Sequence, residues 1–263
     1  MMTTDDAATI NEDADASFRA RRAALGESVD RLAALVRALT PAQLRQQAYP
    51  SEWTVADVLS HLGSGAVLTR LRLDGTVDLD PQPVWDEWNA KDPDAQAAAA
   101  LVADAALQAR LATITPDEQA ALRFSMGPME LDLPTFLGLR LNEHAVHNWD
   151  IAVTFDDAAT IPPGEAGIMV DTLALISRFA GKPTGAERTF TVRTVAPERF
   201  FEIALRTDGV ALSPLPPVDV PDLELSTDAL VRLVYGRLDP AHTPVVNVLS
   251  AELDELRKAF PGF

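Results

Sequence analysis

The apolar residues of this chain change their period once, at Gly181-Lys182-Pro183, and that change limits the fold more than any other feature. Upstream they recur at steps of three and four residues, the spacing of one helix face; downstream they alternate, the spacing of a half-buried strand. A helical part followed by a smaller α+β part is expected, and 263 residues with 47% apolar content can supply a core to each.

Residues 1–16 are acidic and small, without apolar periodicity, and read as a flexible tail. From Phe18 to Leu39, the positions Leu25, Val29, Leu32, Val36 and Leu39 specify an amphipathic helix, which Thr40-Pro41 ends. A second helix is expected from Thr54 to about Leu73, with Thr54 as N-cap and Asp57 at the third helical position in a variant capping box. Val58, Leu62 and Ala66 share one face of it, with His61 beside them. Ala95–Ile114, Ala- and Leu-rich without Gly or Pro, is a third helix. Met129–Leu133, between Pro128 and Pro134, alternates like a short hairpin arm, and a fourth helix follows from about Thr135 to Val153. Gly167–Ala180 supplies one more. Beyond Gly181, Thr189–Val195 and Phe200–Arg206 read as strands, Asp208-Gly209 as a turn and Val210–Ser213 as a third strand. Helices are expected from Ser226 or Thr227 to about Tyr235 and from Ala251 to Phe260. The expected organisation is a tail over 1–16, a helix bundle over 17–181 and an α+β domain over 182–263.

Charge and composition exclude several functions. Lys and Arg total 22 against 39 Asp and Glu, and the net charge of −17 repels nucleic-acid phosphates and anionic lipid, so neither is an expected partner. No apolar stretch approaches the ~18–20 residues of a membrane span, and the N-terminus is acidic where a signal peptide is basic and then apolar, so a cytoplasmic protein is expected. The chain has no cysteine, which removes disulfides, zinc–thiolate sites and a protein-borne thiol nucleophile. Thiol chemistry here needs a thiol from outside.

Of four histidines, two lie in the segment from Arg140 to Asp150. Glu143 and His147 are four residues apart, so on a helix they project from one face in adjacent turns, where two ligands can converge on one ion. A bundle site takes its remaining ligand from a facing helix, and the second helix offers His61. Two imidazoles and a carboxylate leave coordination positions open, the pattern of a catalytic site. Asp57 and Asp150 are candidate acceptors for the imidazole N–H groups behind such an ion. The same spacing also arises by chance, and a histidine on an apolar face is ordinarily a satisfied core residue; spacing alone leaves both readings open. His144 points about 100° away from Glu143 and is the weaker ligand, and His242 is expected at the surface. Trp53, Trp85, Trp88 and Trp149 suit a pocket lining, though core positions are the commoner fate of large aromatics.

The segments Trp53-Thr-Val-Ala-Asp57-Val-Leu-Ser-His61-Leu62 and Arg140-Leu-Asn-Glu143-His-Ala-Val-His147-Asn-Trp149-Asp150-Ile151 resemble the two signatures of the mycothiol-dependent maleylpyruvate isomerase family, within the DinB-like metalloprotein superfamily. The resemblance implies one zinc ion held by His61, Glu143 and His147. It also implies a DinB-like four-helix bundle to about residue 180, a small sterol-carrier-like α+β domain behind it, and mycothiol as thiol cofactor. Leu233-Val-Tyr-Gly236-Arg237 is similar to a Gly-Arg segment of that second domain whose arginine is implicated near the active site; a helix-end cation is the competing reading of Arg237. The activity implied is cis–trans isomerisation of a small electrophile by an external thiol, in a monomer or homodimer. A mycothiol S-transferase, a metal-activated hydrolase and a non-catalytic carrier of an apolar ligand with a structural metal remain as alternatives.

Overall fold

A computed structural model of the chain describes residues 4–76, 79–244 and 250–262, and divides into two compact units, Met1–Ala159 and Thr160–Phe263.

The first unit is helical. Its elements are α1 (Thr4–Ala38), α2 (Pro41–Leu44), α3 (Val55–Leu73), α4 (Gln82–Asn89), α5 (Pro93–Ala112), α6 (Pro116–Ala121), the hairpin β1 (Arg123–Met126) and β2 (Met129–Asp132), and α7 (Leu133–Ala152). The long helices form the expected bundle: α3 packs on α5 and α7, and α1 on α7 and α5. Each starts where its chemistry directs. The Thr54 hydroxyl accepts from the Asp57 amide while the Asp57 carboxylate accepts from the Thr54 amide, so the capping box at α3 forms with Asp in place of Glu. Asp132 caps α7 through the Thr135 amide, with Pro134 in the first turn where its missing N–H costs nothing. The apolar positions expected to share a face do so: Leu25, Leu32 and Val36 of α1 and Val58, Leu62 and Ala66 of α3 are buried. Each fully buried Val or Leu contributes about 1.5–3 kcal/mol. Gly63 is required for this packing, because a Cβ there would meet the Trp88 ring at 2.2 Å and the Ala100 backbone at 2.9 Å.

Two expectations for this unit change. Helix α1 starts at Thr4 and takes in most of the segment expected to be a flexible tail. That segment has no Gly or Pro, so its backbone can continue the helix without any apolar stripe. Helix α4 was not legible in the sequence: it lies among prolines, and its packing face consists of Trp88, buried against α3, and the half-buried Val84. Trp88 and Trp149 take the core reading, whereas Trp85 stays exposed.

The second unit holds α8 (Pro163–Met169), a 3-10 turn (Val170–Thr172), α9 (Leu173–Ala180), β3 (Arg188–Val195), β4 (Glu198–Arg206), β5 (Gly209–Pro214), β6 (Leu223–Leu225), α10 (Thr227–Val234), a 3-10 turn (Pro240–His242) and α11 (Ser250–Ala259). The sheet order is β5-β4-β3-β6, antiparallel except for the parallel β3–β6 pair. The chain turns from β4 into β5 at Thr207-Asp208, one residue before the expected Asp208-Gly209, with Gly209 opening β5 opposite Arg206. The division expected at 181/182 falls instead at 159/160. Helix α9 packs on β5 and α10, and Asp228 of α10 accepts from the Ile161 amide, so residues 160–181 are tied to the sheet's side of the boundary. Helical periodicity marks a buried face but not its partner, which is why these helices read as part of the bundle.

Candidate metal centre

Helix α7 is buried on several sides, as its run of Leu and Ala dictates, and Glu143 and His147 leave it in adjacent turns. From α3, the capping box and the Val58–Leu62–Ala66 face fix the helix rotation that brings His61 to the same place. His61 Nε2 lies 3.2 Å from Glu143 Oε2, and His147 Nε2 lies 3.8 Å from the same oxygen. One donor atom from each of the three residues falls within 4.8 Å of the others, and this is the one such group among the described residues. Ligand atoms at the usual 2.0–2.2 Å from a tetrahedral ion sit about 3.3–3.6 Å apart, so the two measured pairs bracket the spacing that one ion requires. Two imidazole nitrogens and one carboxylate oxygen suit zinc and its first-row neighbours.

Behind the cluster, Asp150 is fully buried and lies 2.8 Å from His147 Nδ1. With the carboxylate accepting at Nδ1, Nε2 is the atom that His147 would offer to an ion. Asp57, the other expected acceptor, is occupied in capping α3 and does not support His61. Trp53 fulfils part of the pocket expectation, since its ring lies 5.2 Å from the His61 ring and stacks on His147 at 5.7 Å. Burial opposes ionisation of Glu143, but the hydrogen bond from His61 and the charges of His147, His61 and Arg140 outweigh it and hold its pKa down at about 2. The side chain still has 48% of its surface open, so the protein density that desolvates it lies on one side of an accessible carboxylate.

His144 turns away from this cluster, as helix geometry implies, into a second polar group that sequence reading missed. Its Nδ1 lies 2.9 Å from Ser28 Oγ and its Nε2 3.2 Å from Asp104 Oδ2, while Arg140 donates to Asp104 Oδ1 at 3.2 Å and to the Leu62 carbonyl at 2.8 Å. All four side chains are buried. Desolvation holds the His144 pKa below the usual imidazole value, so the ring is neutral, donating to Asp104 and accepting from Ser28. Desolvation also opposes the charge on Asp104, yet the hydrogen bonds from His144 and Arg140 and the charge of Arg140 win and keep its carboxyl below the usual range. A signal was present: Asp104 shares a face with Ala97, Ala100, Leu107 and Leu111, an acid in an apolar stripe with no basic residue four positions away.

Arg237 belongs to the second unit, where its Nη1 donates at 2.7 Å to the carbonyl of Tyr235, the residue that ends α10. The buried arginine of that helix is Arg232, bonded to Asp228 at 2.8 Å and to the His242 carbonyl at 2.7 Å. His242, expected at the surface, is partly buried and bonded to Asp239.

Residues 25–152 match the model of the mycothiol maleylpyruvate isomerase N-terminal domain. The structure is similar to the crystal structure of the mycothiol-dependent maleylpyruvate isomerase, with a TM-score of 0.59 and 15% identity over 84% of this chain and 89% of that one. It is similar also to that of a histidine-to-alanine mutant of a mycothiol-dependent maleylpyruvate isomerase, with a TM-score of 0.59, 14% identity and the same coverage. At such identity the likeness carries the fold, a helical region followed by a small sheet domain. No curated protein sequence matches the chain. The matched segment, residues 25–152, holds His61, Glu143 and His147, so the similarity to the mycothiol maleylpyruvate isomerase N-terminal domain covers the whole candidate metal centre.

Proposed function

We propose that His61, Glu143 and His147 bind one divalent ion, zinc by preference, and that the protein is a mycothiol-using enzyme acting on a small electrophile by maleylpyruvate isomerase-like cis–trans isomerisation. The observation that carries this reading is the convergence of the three donor atoms within 4.8 Å on α3 and α7, inside the segment that matches the family domain. A divalent ion there supplies the charge that lowers the pKa of an external thiol and maintains thiolate at neutral pH.

The chain's own residues prepare the site for that chemistry. Asp150 fixes the tautomer and rotation of His147. Trp53 stacks on the His147 ring and lies tilted against the His61 ring, which restricts the motion of both. Glu143 contributes a fixed negative charge whose open side leaves room for an incoming thiol and electrophile. The thiol, when bound beside these residues, would supply a nucleophile able to add reversibly to an activated cis double bond, which makes that bond single and free to rotate before the thiolate leaves again. A guanidinium is a natural partner for a substrate carboxylate; the Gly236-Arg237 resemblance supports Arg237 in that role, with Arg237→Met expected to raise KM more than it lowers kcat. Dependence on a small thiol suits a reducing compartment, the cytoplasm, and among the described residues no helix is long and apolar enough to cross a membrane.

The test is the metal content of untagged protein purified without chelator, beside His61→Ala and His147→Ala, followed by thiol accounting during turnover. One ion per chain in the wild type, lost in both variants, and product formed without thiol consumption are expected. No ion taken up on adding zinc would overturn the site. Thiol consumed one for one with substrate would replace isomerisation by S-transfer on the same residues.

A further inference from the structure

The metal reading leaves a question of distance. His61 reaches the cluster from α3, whereas Glu143 and His147 come from α7, and the three donors match one ion only if the two helices keep their spacing and register. Coordination distances tolerate departures of about 0.2 Å, and apolar ridges alone do not fix helix register that closely. Arg140 supplies a directional tie. It stands one turn before Glu143 on α7, and its Nη2 donates to the carbonyl of Leu62, the residue after His61. The same nitrogen donates to Asp104 on α5, so one planar guanidinium links three helices. Helix α3 makes room for it: a Cβ at Gly65 would lie 2.7 Å from Arg140 Nη1.

We propose that Arg140, held by Asp104, is a positioning residue for the metal centre, fixing α3 against α7 so that His61 meets Glu143 and His147 on one ion. The inference rests on the metal reading above. It adds a role for a buried side chain whose Nη2 bonds to the Leu62 carbonyl and to Asp104. A buried ion pair is a weak source of net stability, because desolvation offsets much of the attraction. Geometric specification of the site accounts for the arrangement better than stability does.

The experiment compares wild type, Arg140→Met, Arg140→Lys, Gly65→Ala and Ser28→Ala, each stripped of metal and titrated with cobalt(II) against a chromophoric chelator, with the visible absorption of the bound ion recorded. Wild type is expected to bind one ion. Arg140→Met should bind about tenfold or more weakly, with a changed cobalt spectrum, and Arg140→Lys should recover part of the affinity, since ammonium keeps the charge but not the fork. Gly65→Ala, which displaces the guanidinium while keeping every charge, should move affinity the same way. Ser28→Ala removes a bond from the same buried group on the α1 side; it should lower stability to urea and leave cobalt affinity and spectrum unchanged. Wild-type affinity and spectrum in Arg140→Met, or in Gly65→Ala if Arg140→Met does not fold, would overturn the inference. So would an equal loss in Ser28→Ala, which would make the effect one of general stability. Failure of the wild type to bind cobalt would instead overturn the metal reading itself.

Discussion

His144 and His147 stand three residues apart on one helix, and each is paired with a buried aspartate, yet their surroundings give them opposite uses. His147 spends Nδ1 on Asp150 and keeps Nε2 for the cluster with Glu143 and His61. His144 spends both nitrogens, on Ser28 and Asp104, inside the bundle. A carboxylate–imidazole pair thus becomes a ligand only where the second nitrogen faces other donors and open space; where both are bonded and sealed, it becomes a structural tie. The one group orients a site and the other joins α1, α5 and α7, with Arg140 carrying that tie on to α3.

The contrast can be broken first at His147. His147→Ala is expected to abolish metal binding and activity while circular dichroism shows an intact fold; activity retained at wild-type level would sink the assignment. On the buried side, Asp104→Ala leaves the Arg140 charge uncompensated, and urea denaturation should show a loss of about 3–5 kcal/mol. A loss well below 1 kcal/mol would mean that water reaches that group and that the two regions differ less than their burial implies. Asp150→Asn keeps the shape behind His147 and removes the charge that orients it. Metal affinity should fall by about 10–100-fold, measured by chelator competition, with a far smaller change in stability than Asp104→Ala produces.

The finest distinction is in acid. The Asp104 carboxyl titrates below its ordinary value of 3.8, because its bonds and charged partners outweigh desolvation. A depressed folded-state pKa contributes stability that is present above the unfolded value and lost as pH falls through the folded one. Asp104 should therefore add at most about 1.4 kcal/mol per pH unit to the acid decline, in a window starting near 3.8 and running downward. Asp104→Asn should flatten the acid limb below that pH in stripped protein. An unchanged limb would show that Asp104 is not ionised in the fold.

Much of this arrangement was readable in the residues. The three-and-four spacing of apolar positions marked α1, a shared apolar face and the Thr54–Asp57 pair marked α3, an Ala- and Leu-rich stretch without Gly or Pro marked α5, and Pro134 marked the start of α7. The Glu143–His147 step placed two donors on one face; His61 followed from asking which facing helix held a histidine, and the family resemblance chose it. Asp57 was misread because two roles competed for one carboxylate, and the local one, capping its own helix, prevailed. Ser28, Asp104 and Arg140 were not assembled, because the bonds that define them join residues 116, 40 and 36 positions apart. The boundary at 159/160 was missed for the same kind of reason, since α9 finds its partner in β5.

The sequence by itself determined the long helices, the cap at Thr54, the face that α3 buries and which donors share a face of α7. These depend on interactions within about four residues, which spacing records directly. Only the tertiary structure decided where His144 finds its partners, which aspartate stands behind His147, and which side chains join α3, α5 and α7. Those outcomes depend on which buried faces meet, and burial makes the choice sharp: a polar atom removed from water must find its partner across the bundle, or the packing that buried it is not stable.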